Sequence, residues 1–185
     1  IVPADAPETR LATIAAAEME GPVYLRLTRL AFPYVTEGIR EPFEIGKART
    51  LRSGGDVSII ACGIMVGMAM EASESLQREG ISASVVNMHT IKPIDRDAVI
   101  AEAKRTGCVV TAEEHSIYGG LGGAVAEVLA EHYPVPVVRV GTRDTFGESG
   151  DPHALLKKYG LTPEAIAGAA REAIRKKKSL ASLAR

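Results

Sequence analysis

An α/β fold is predicted for this chain, three layers deep (α/β/α), with a mostly parallel sheet of about five strands. Three observations predict it. From about residue 43 onward, strand-like apolar runs alternate with helical stretches of 10 to 16 residues, the pattern of right-handed crossover units. The runs are continuous and rich in Val and Ile rather than alternating with polar residues, as suits strands buried on both faces. Aromatic residues make up only 4% of the chain and Trp is absent, so the core must be built from Val, Ile, Leu and Ala.

Taken in order, residues 4–20 read as a helix capped by Asp5, with Pro7 in its first turn, Gly21 past its end, and Leu11, Ile14, Ala15 and Met19 on one face. A short strand, 23–27, follows. Residues 28–42 carry Pro33, Gly38 and Pro42 without apolar periodicity and read as a loop and linker. Residues 44–52 form a first regular strand and 53–56 a turn. A strand at 57–62 and a helix at 63–79 come next, closed by Gly80. Then come a strand at 83–88, a helix at 95–105 with Gly107 after it, and a strand at 108–112. A helix at 121–132, a strand at 135–140 and two helices near 151–159 and 163–177 complete the chain. The tight turn between Arg52 and Val57 allows the first strand to pair antiparallel with the second. Two units result: a short tail and linker at 1–42 and a domain at 43–185. The first is too short to bury a core alone and is expected to rest on the second or be loosely held.

Composition excludes several function classes. A formal net charge of −1 gives no overall field toward nucleic acid or anionic membranes. No apolar run reaches the roughly 18 residues needed to cross a bilayer. Cys62 and Cys108 sit in apolar runs without a CxxC or a nearby His, and so read as buried free thiols. With no secretory signal at the start, a reducing, cytoplasmic compartment is expected. Residues 171–185 carry six basic side chains against Glu172, a net +5, which suits the solvated end of a last helix better than a nucleic-acid arm.

In such sheets, ligands meet the loops at the carboxyl ends of the strands, and three loops there carry candidate chemistry. Glu113-Glu114-His115 leads through Gly119, Gly120, Gly122 and Gly123 into a helix whose N–H groups could face an anion. The dinucleotide fingerprint fails, because Val125 stands where its third small residue belongs. A tight turn and close packing, against a partner chain in particular, is the favoured reading. Glu113 and Glu114, adjacent on an extended chain, point to opposite faces and cannot share a substrate as an acid/base pair. The loop 144–151 is rich in acidic and hydroxyl side chains but does not fit an EF-hand, so turn and capping roles fall to Ser149 and Asp151. Arg26 and Arg29 end the first short strand, and Arg is shaped for bidentate binding of phosphate or carboxylate. His89, His115, His132 and His153 lie at strand or helix ends, where a hydrogen bond or dipole interaction is the default.

Several of these pieces, in this order, resemble the transketolase family over essentially the whole chain. Pro3-Ala4-Asp5 with the run from Gly21 to Arg29 is similar to the end of that family's pyrimidine-binding domain. Glu113-Glu114-His115 with Gly119-Gly120-Leu121-Gly122 resembles its C-terminal domain. So do Ile91-Lys92-Pro93-Ile94-Asp95, the run Phe146 to Gly150 and the run Lys158 to Thr162. The same domain occurs in deoxyxylulose-phosphate synthases and in the beta chains of 2-oxoacid dehydrogenases. The Glu-Glu-His and Phe-Gly-Glu-Ser-Gly pieces are closest to transketolase, including its form split into two subunits. The resemblance implies ketol transfer between sugar phosphates with thiamine diphosphate and a divalent metal (Mg) in the complete enzyme. It implies that Arg29 binds the substrate phosphate, and that the Glu113–Gly123 loop serves packing and homodimer contacts. The family's Gly-Asp-Gly metal motif is absent here, and its catalytic glutamate would lie upstream of Ile1. No catalytic residue, no metal ligand and no cofactor binding are therefore expected of this chain alone, and its partners are the missing N-terminal domains or subunit. The alternatives are the C-terminal part of another enzyme of the superfamily, a deoxyxylulose-phosphate synthase or a 2-oxoacid dehydrogenase beta chain, or a stand-alone interaction or regulatory module with this fold.

Overall fold

The computed structural model describes residues 1–39 and 41–183. Arg40, inside the expected linker, and Arg185, in the basic tail, lie outside the described residues. The first helix, α1 (Ala6–Glu18), is capped by Asp5, whose carboxylate accepts from Glu8 N at 3.0 Å. The sheet comprises β1 (Arg49–Arg52), β2 (Val57–Ala61), β3 (Ala83–Asn87), β4 (Val109–Ser116) and β5 (Val137–Thr142). Between and after them run α2 (Met65–Arg78), α3 (Arg96–Thr106), α4 (Leu121–His132), α5 (Pro152–Lys158) and α6 (Pro163–Leu183). The strand order is β1-β3-β2-β4-β5, parallel except for β1.

The apolar runs work as two-faced strands. Ile59, Val85 and Val110 join Met65, Leu76 and Ile166 in a core under α2 and α6. Their neighbours Ile60, Val86 and Val109 join Val99, Leu121, Val125 and Leu129 in a second core under α3 and α4. Alternate residues of one strand thus feed opposite layers, the geometry that a period of two dictates. Local signals set the helix ends. Asp95 accepts from Ala98 N to start α3, and Gly107 ends it in the left-handed region at φ 70°.

Several expectations are corrected. β1 is antiparallel, but its partner is β3 rather than β2, with Arg49 opposite Asn87. β2 already has β3 on one edge and β4 on the other, so β1 cannot reach it and takes the outer edge of β3 instead. The stretch 23–27 forms no strand: among the described residues its backbone partner is Ile1, which donates to Tyr24 O and accepts from Arg26 N. In α1 the buried residues are Glu8 and Ala12, while Ile14 and Met19 of the expected apolar face are 45% and 46% exposed. The cause is polar. The Glu8 carboxylate accepts from Ala4 N and from Asn87 Nδ2, both at 2.8 Å, and this turns α1 toward the end of β3. β4 runs on to Ser116 and α6 to Leu183, each longer than expected. Part of the basic tail is committed to the fold: Lys177 donates to Thr106 O at 2.7 Å, and Arg171 pairs with Glu79 at 3.0 Å.

Residues 1–39 are tied to the sheet by hydrogen bonds. Val2 N donates to His89 O and Gly63 N donates to Val2 O, so the first residues cross the carboxyl ends of β2 and β3. Asp5 also gathers Val35 N, Thr36 N and the Thr36 hydroxyl at 2.6–2.7 Å, pinning the following loop to the start of α1.

Candidate functional site

The carboxyl ends of the strands carry two adjoining clefts. The smaller, of 330 Å³, lies beside the first residues and Tyr24. The larger, of 810 Å³, is walled by the 26–32 segment and by the loop after β5. Arg26, Glu114 and His115 line both.

Their positions follow from β4. The register of β4 with β5 is irregular between Ala112 and Ser116, yet successive side chains at the end of β4 still face different ways. Glu113 points inward and is 2% exposed, while Glu114 points out to the clefts. The Glu113 carboxylate accepts from Leu121 N and Gly122 N, both at 2.7 Å. The anion that the start of α4 faces is therefore the protein's own carboxylate, and the helix dipole is satisfied internally. This explains the glycines. A Cβ on Gly120 would overlap Glu113 Oε2, and one on Gly122 would lie 2.9 Å from both Arg139 Cδ and Thr111 Oγ1. Gly119 turns the chain through φ 74°. Burial pushes the Glu113 carboxyl above its usual range, against the pull of the two N–H bonds.

Glu114 binds Arg26 twice. Its backbone oxygen accepts from Arg26 Nη2 at 2.8 Å, and its Oε2 lies 3.5 Å from Arg26 Nη1. Arg29, three residues on, is exposed on the wall of the larger cleft and has no hydrogen bond or ion pair among the described residues. His115 is exposed, with Nδ1 3.2 Å from Ser116 O. Across the larger cleft stand Phe146, 98% exposed, and Glu148, which pairs with Lys158 at 2.5 Å. Asp151 caps α5 by accepting from Ala154 N at 2.8 Å, and Ser149 lines the cleft.

The site residues named from sequence thus divide. Glu114, His115, Gly119 and Gly120 face the clefts with Arg29, whereas Glu113 and Gly122 are committed inside the fold. Arg26 had no role from sequence. Its signal, an Arg shortly before Arg29, acquires meaning only when Glu114 is beside it. His89 is buried against Phe43 and hydrogen-bonded to Thr90. Burial and the Arg49 charge hold it down to about 4, so it is neutral at pH 7. Cys62 and Cys108 are buried free thiols.

Residues 46–166 match the family described as transketolase, C-terminal domain. This chain belongs to that family. It is 47% identical over 175 residues to the 6-deoxy-6-sulfo-D-fructose transketolase subunit SqwH of Clostridium sp. (strain MSTE9), a match covering 95% of this chain and 54% of that protein. A solved structure described as a split gene transketolase, inactive beta4 tetramer, is 53% identical with a TM-score of 0.91, covering 95% of this chain and 57% of that one. The 1-deoxy-D-xylulose-5-phosphate synthase of Heliobacterium modesticaldum is 39% identical over 185 residues, 99% of this chain and 29% of that protein. The chain thus spans about half the length of the transketolase subunit it matches.

Arg29 lies in the larger cleft and outside the residues that match the family. The chain's own residues do not fit a holder for thiamine diphosphate and a metal. The start of α4 is filled by Glu113, and among the described residues no three His, Cys, Asp or Glu side chains gather as ligands.

Proposed function

We propose that this chain is the C-terminal part of a thiamine-diphosphate-dependent transketolase, an enzyme that moves a ketol group between sugar phosphates. In this reading residues 1–42 are the tail of the pyrimidine-binding domain with its linker, and residues 43–185 are the C-terminal domain. The cofactor and its divalent metal, magnesium, are held by the remaining domains or subunit, so the chain is not catalytically competent alone. It contributes packing, a homodimer contact and the substrate-phosphate site, in the cytoplasm. Among the described residues no helix is long and apolar enough to cross a membrane.

The observation that carries the reading is Arg29. It is exposed, uncommitted, and stands in an 810 Å³ cleft at the carboxyl ends of a parallel sheet. A free guanidinium fork suits a phosphate oxygen pair, and Arg26 adds a second positive charge to the same cleft. The exposed members of the β4–α4 loop, His115, Tyr118 and Gly119, are the surface offered to a partner copy. The subunit and tetramer named for two similar proteins support assembly with other chains.

In the complete enzyme, Arg29→Ala is expected to raise KM for phosphorylated sugars by about 10- to 100-fold, the loss of one or two charge-assisted hydrogen bonds. Thiamine diphosphate affinity should stay the same. An unaltered KM would remove the assignment. The match to 1-deoxy-D-xylulose-5-phosphate synthase favours a second reading, a synthase of the same superfamily. Turnover of pyruvate with glyceraldehyde phosphate, rather than of two sugar phosphates, would select it.

A further inference from the structure

Arg29 stands on a stretch of chain with few polar contacts to hold it, although Phe32, three residues on, packs against the apolar core beside the His153 ring. Residues 22–34 form neither helix nor strand. Among the described residues no hydrogen bond reaches the segment from Leu27 to Tyr34. The segment hangs between two anchors. On the far side Asp5 grips Val35 N and Thr36 N, each at 2.7 Å. On the near side Arg26 N donates to Ile1 O at 2.9 Å, and the Arg26 guanidinium grips Glu114 through its backbone oxygen and its carboxylate. Glu114 is a sound post, because the residue before it is locked to the start of α4 and Ala112 and Ser116 on either side pair with β5.

We propose that Arg26 is a positioning residue: its two-point grip on Glu114 fixes the Arg29 segment against the end of β4, so that the Arg29 guanidinium is presented to a phosphorylated substrate. This rests on the phosphate-binding reading of Arg29. Without the grip, the stretch from Leu27 to Ala31 keeps only the Arg26 N–Ile1 O bond before it and the packing of Phe32 after it, and Arg29 samples positions outside the cleft. Each phosphate contact then costs the ordering of the segment as well. A Lys at 26 cannot replace it, since one ammonium does not match the two divergent acceptors.

Arg26 also lines the larger cleft, so it could instead touch the phosphate itself; the two roles respond to Glu114 with opposite sign. If Arg26 acts through its grip, Glu114→Gln weakens the grip and raises KM for phosphorylated sugars. If Arg26 binds phosphate directly, Glu114→Gln releases it and removes a repelling charge, and KM falls.

The test uses the complete enzyme carrying Arg26→Met, Glu114→Gln, Arg29→Ala and the Arg26→Met/Arg29→Ala pair, assayed with a phosphorylated sugar and its unphosphorylated counterpart. The expected result is a KM about fivefold higher for Arg26→Met and about twofold higher for Glu114→Gln, with the phosphorylated sugar only. On the Arg29→Ala background, Arg26→Met should add little. A lowered KM for Glu114→Gln, or full additivity of the pair, would overturn the inference. An effect of Arg29→Ala with none from Arg26→Met would overturn it and leave the phosphate site standing. No effect of Arg29→Ala would bring down both. Glu114→Gln keeps the answer available should Arg26→Met fail to fold, because the Glu114 side chain is already 33% exposed.

Discussion

Replacing Gly120 by Ala adds one methyl group and is expected to be among the most damaging changes of its size in the domain. Gly120 has φ −111° and ψ −151°, angles open to any residue, so the backbone itself raises no objection. The obstacle is Glu113. The new Cβ would overlap its Oε2 and stand 3.0 Å from its Cδ. The carboxylate can swing aside, but then it leaves Leu121 N and Gly122 N, both buried, and becomes an unpaired charge in a dry site. Losing two hydrogen bonds to a charged group at roughly 1.5–3 kcal/mol each, partly relieved by protonation of the carboxyl, gives about 3–5 kcal/mol. For a chain of this length that lowers Tm by about 10 °C. Thermal unfolding followed by calorimetry would measure it, with Gly123→Ala as the control. Gly123 lies in the same helix with nothing within 4 Å of its would-be Cβ, so that change should be neutral or stabilise by about 0.5–1 kcal/mol. In a Glu113→Ala background the Gly120→Ala penalty should shrink, since its cause is gone. A Gly120→Ala variant as stable as wild type, or one equally damaged without Glu113, would refute the account of this loop.

Two further outcomes follow from the buried groups. Burial raises the Glu8 carboxyl above its usual range, against hydrogen bonds from Ala4 N and Asn87 Nδ2. A carboxyl that is raised in the folded state costs stability as pH climbs from ~4.5 through its folded value. Gln carries no such cost, and with the Asn87 amide flipped its Nε2 can donate to Asn87 Oδ1, which has no partner. The Tm difference between Glu8→Gln and wild type should therefore grow in the variant's favour from pH 4.5 to 8; a pH-independent difference would contradict this. Burial also pushes the Cys62 thiol up to about 12, so its alkylation should proceed only as fast as the fold opens. Fast modification of Cys62 in the native protein would argue against the buried arrangement.

What was legible in the sequence was mostly what neighbouring residues decide. The bounds of α4 follow from Gly120 and from Leu121, Val125 and Leu129 recurring on one face. Asp95 and Gly107 mark the ends of α3 by local capping chemistry. The opposed directions of Glu113 and Glu114 are those that an extended chain gives, and they hold although the register with β5 is irregular there. What stayed hidden depends on partners distant in the chain. The burial of Glu8 in place of Ile14 requires Asn87, 79 residues on, and the grip of Arg26 requires Glu114, 88 residues on. The choice of β3 over β2 as the partner of β1 depends on both edges of β2 being taken. The anion at the start of α4 escaped notice because the expected ligand turned out to be a residue of the same motif.

The proposed division of labour, with the cofactor held outside this chain, is tested most directly by calorimetric titration of thiamine diphosphate with magnesium into the purified chain. With the start of α4 filled by Glu113 and no gathering of metal ligands among the described residues, no binding is predicted. Micromolar, metal-dependent binding would contradict that division and place a cofactor site within these 185 residues.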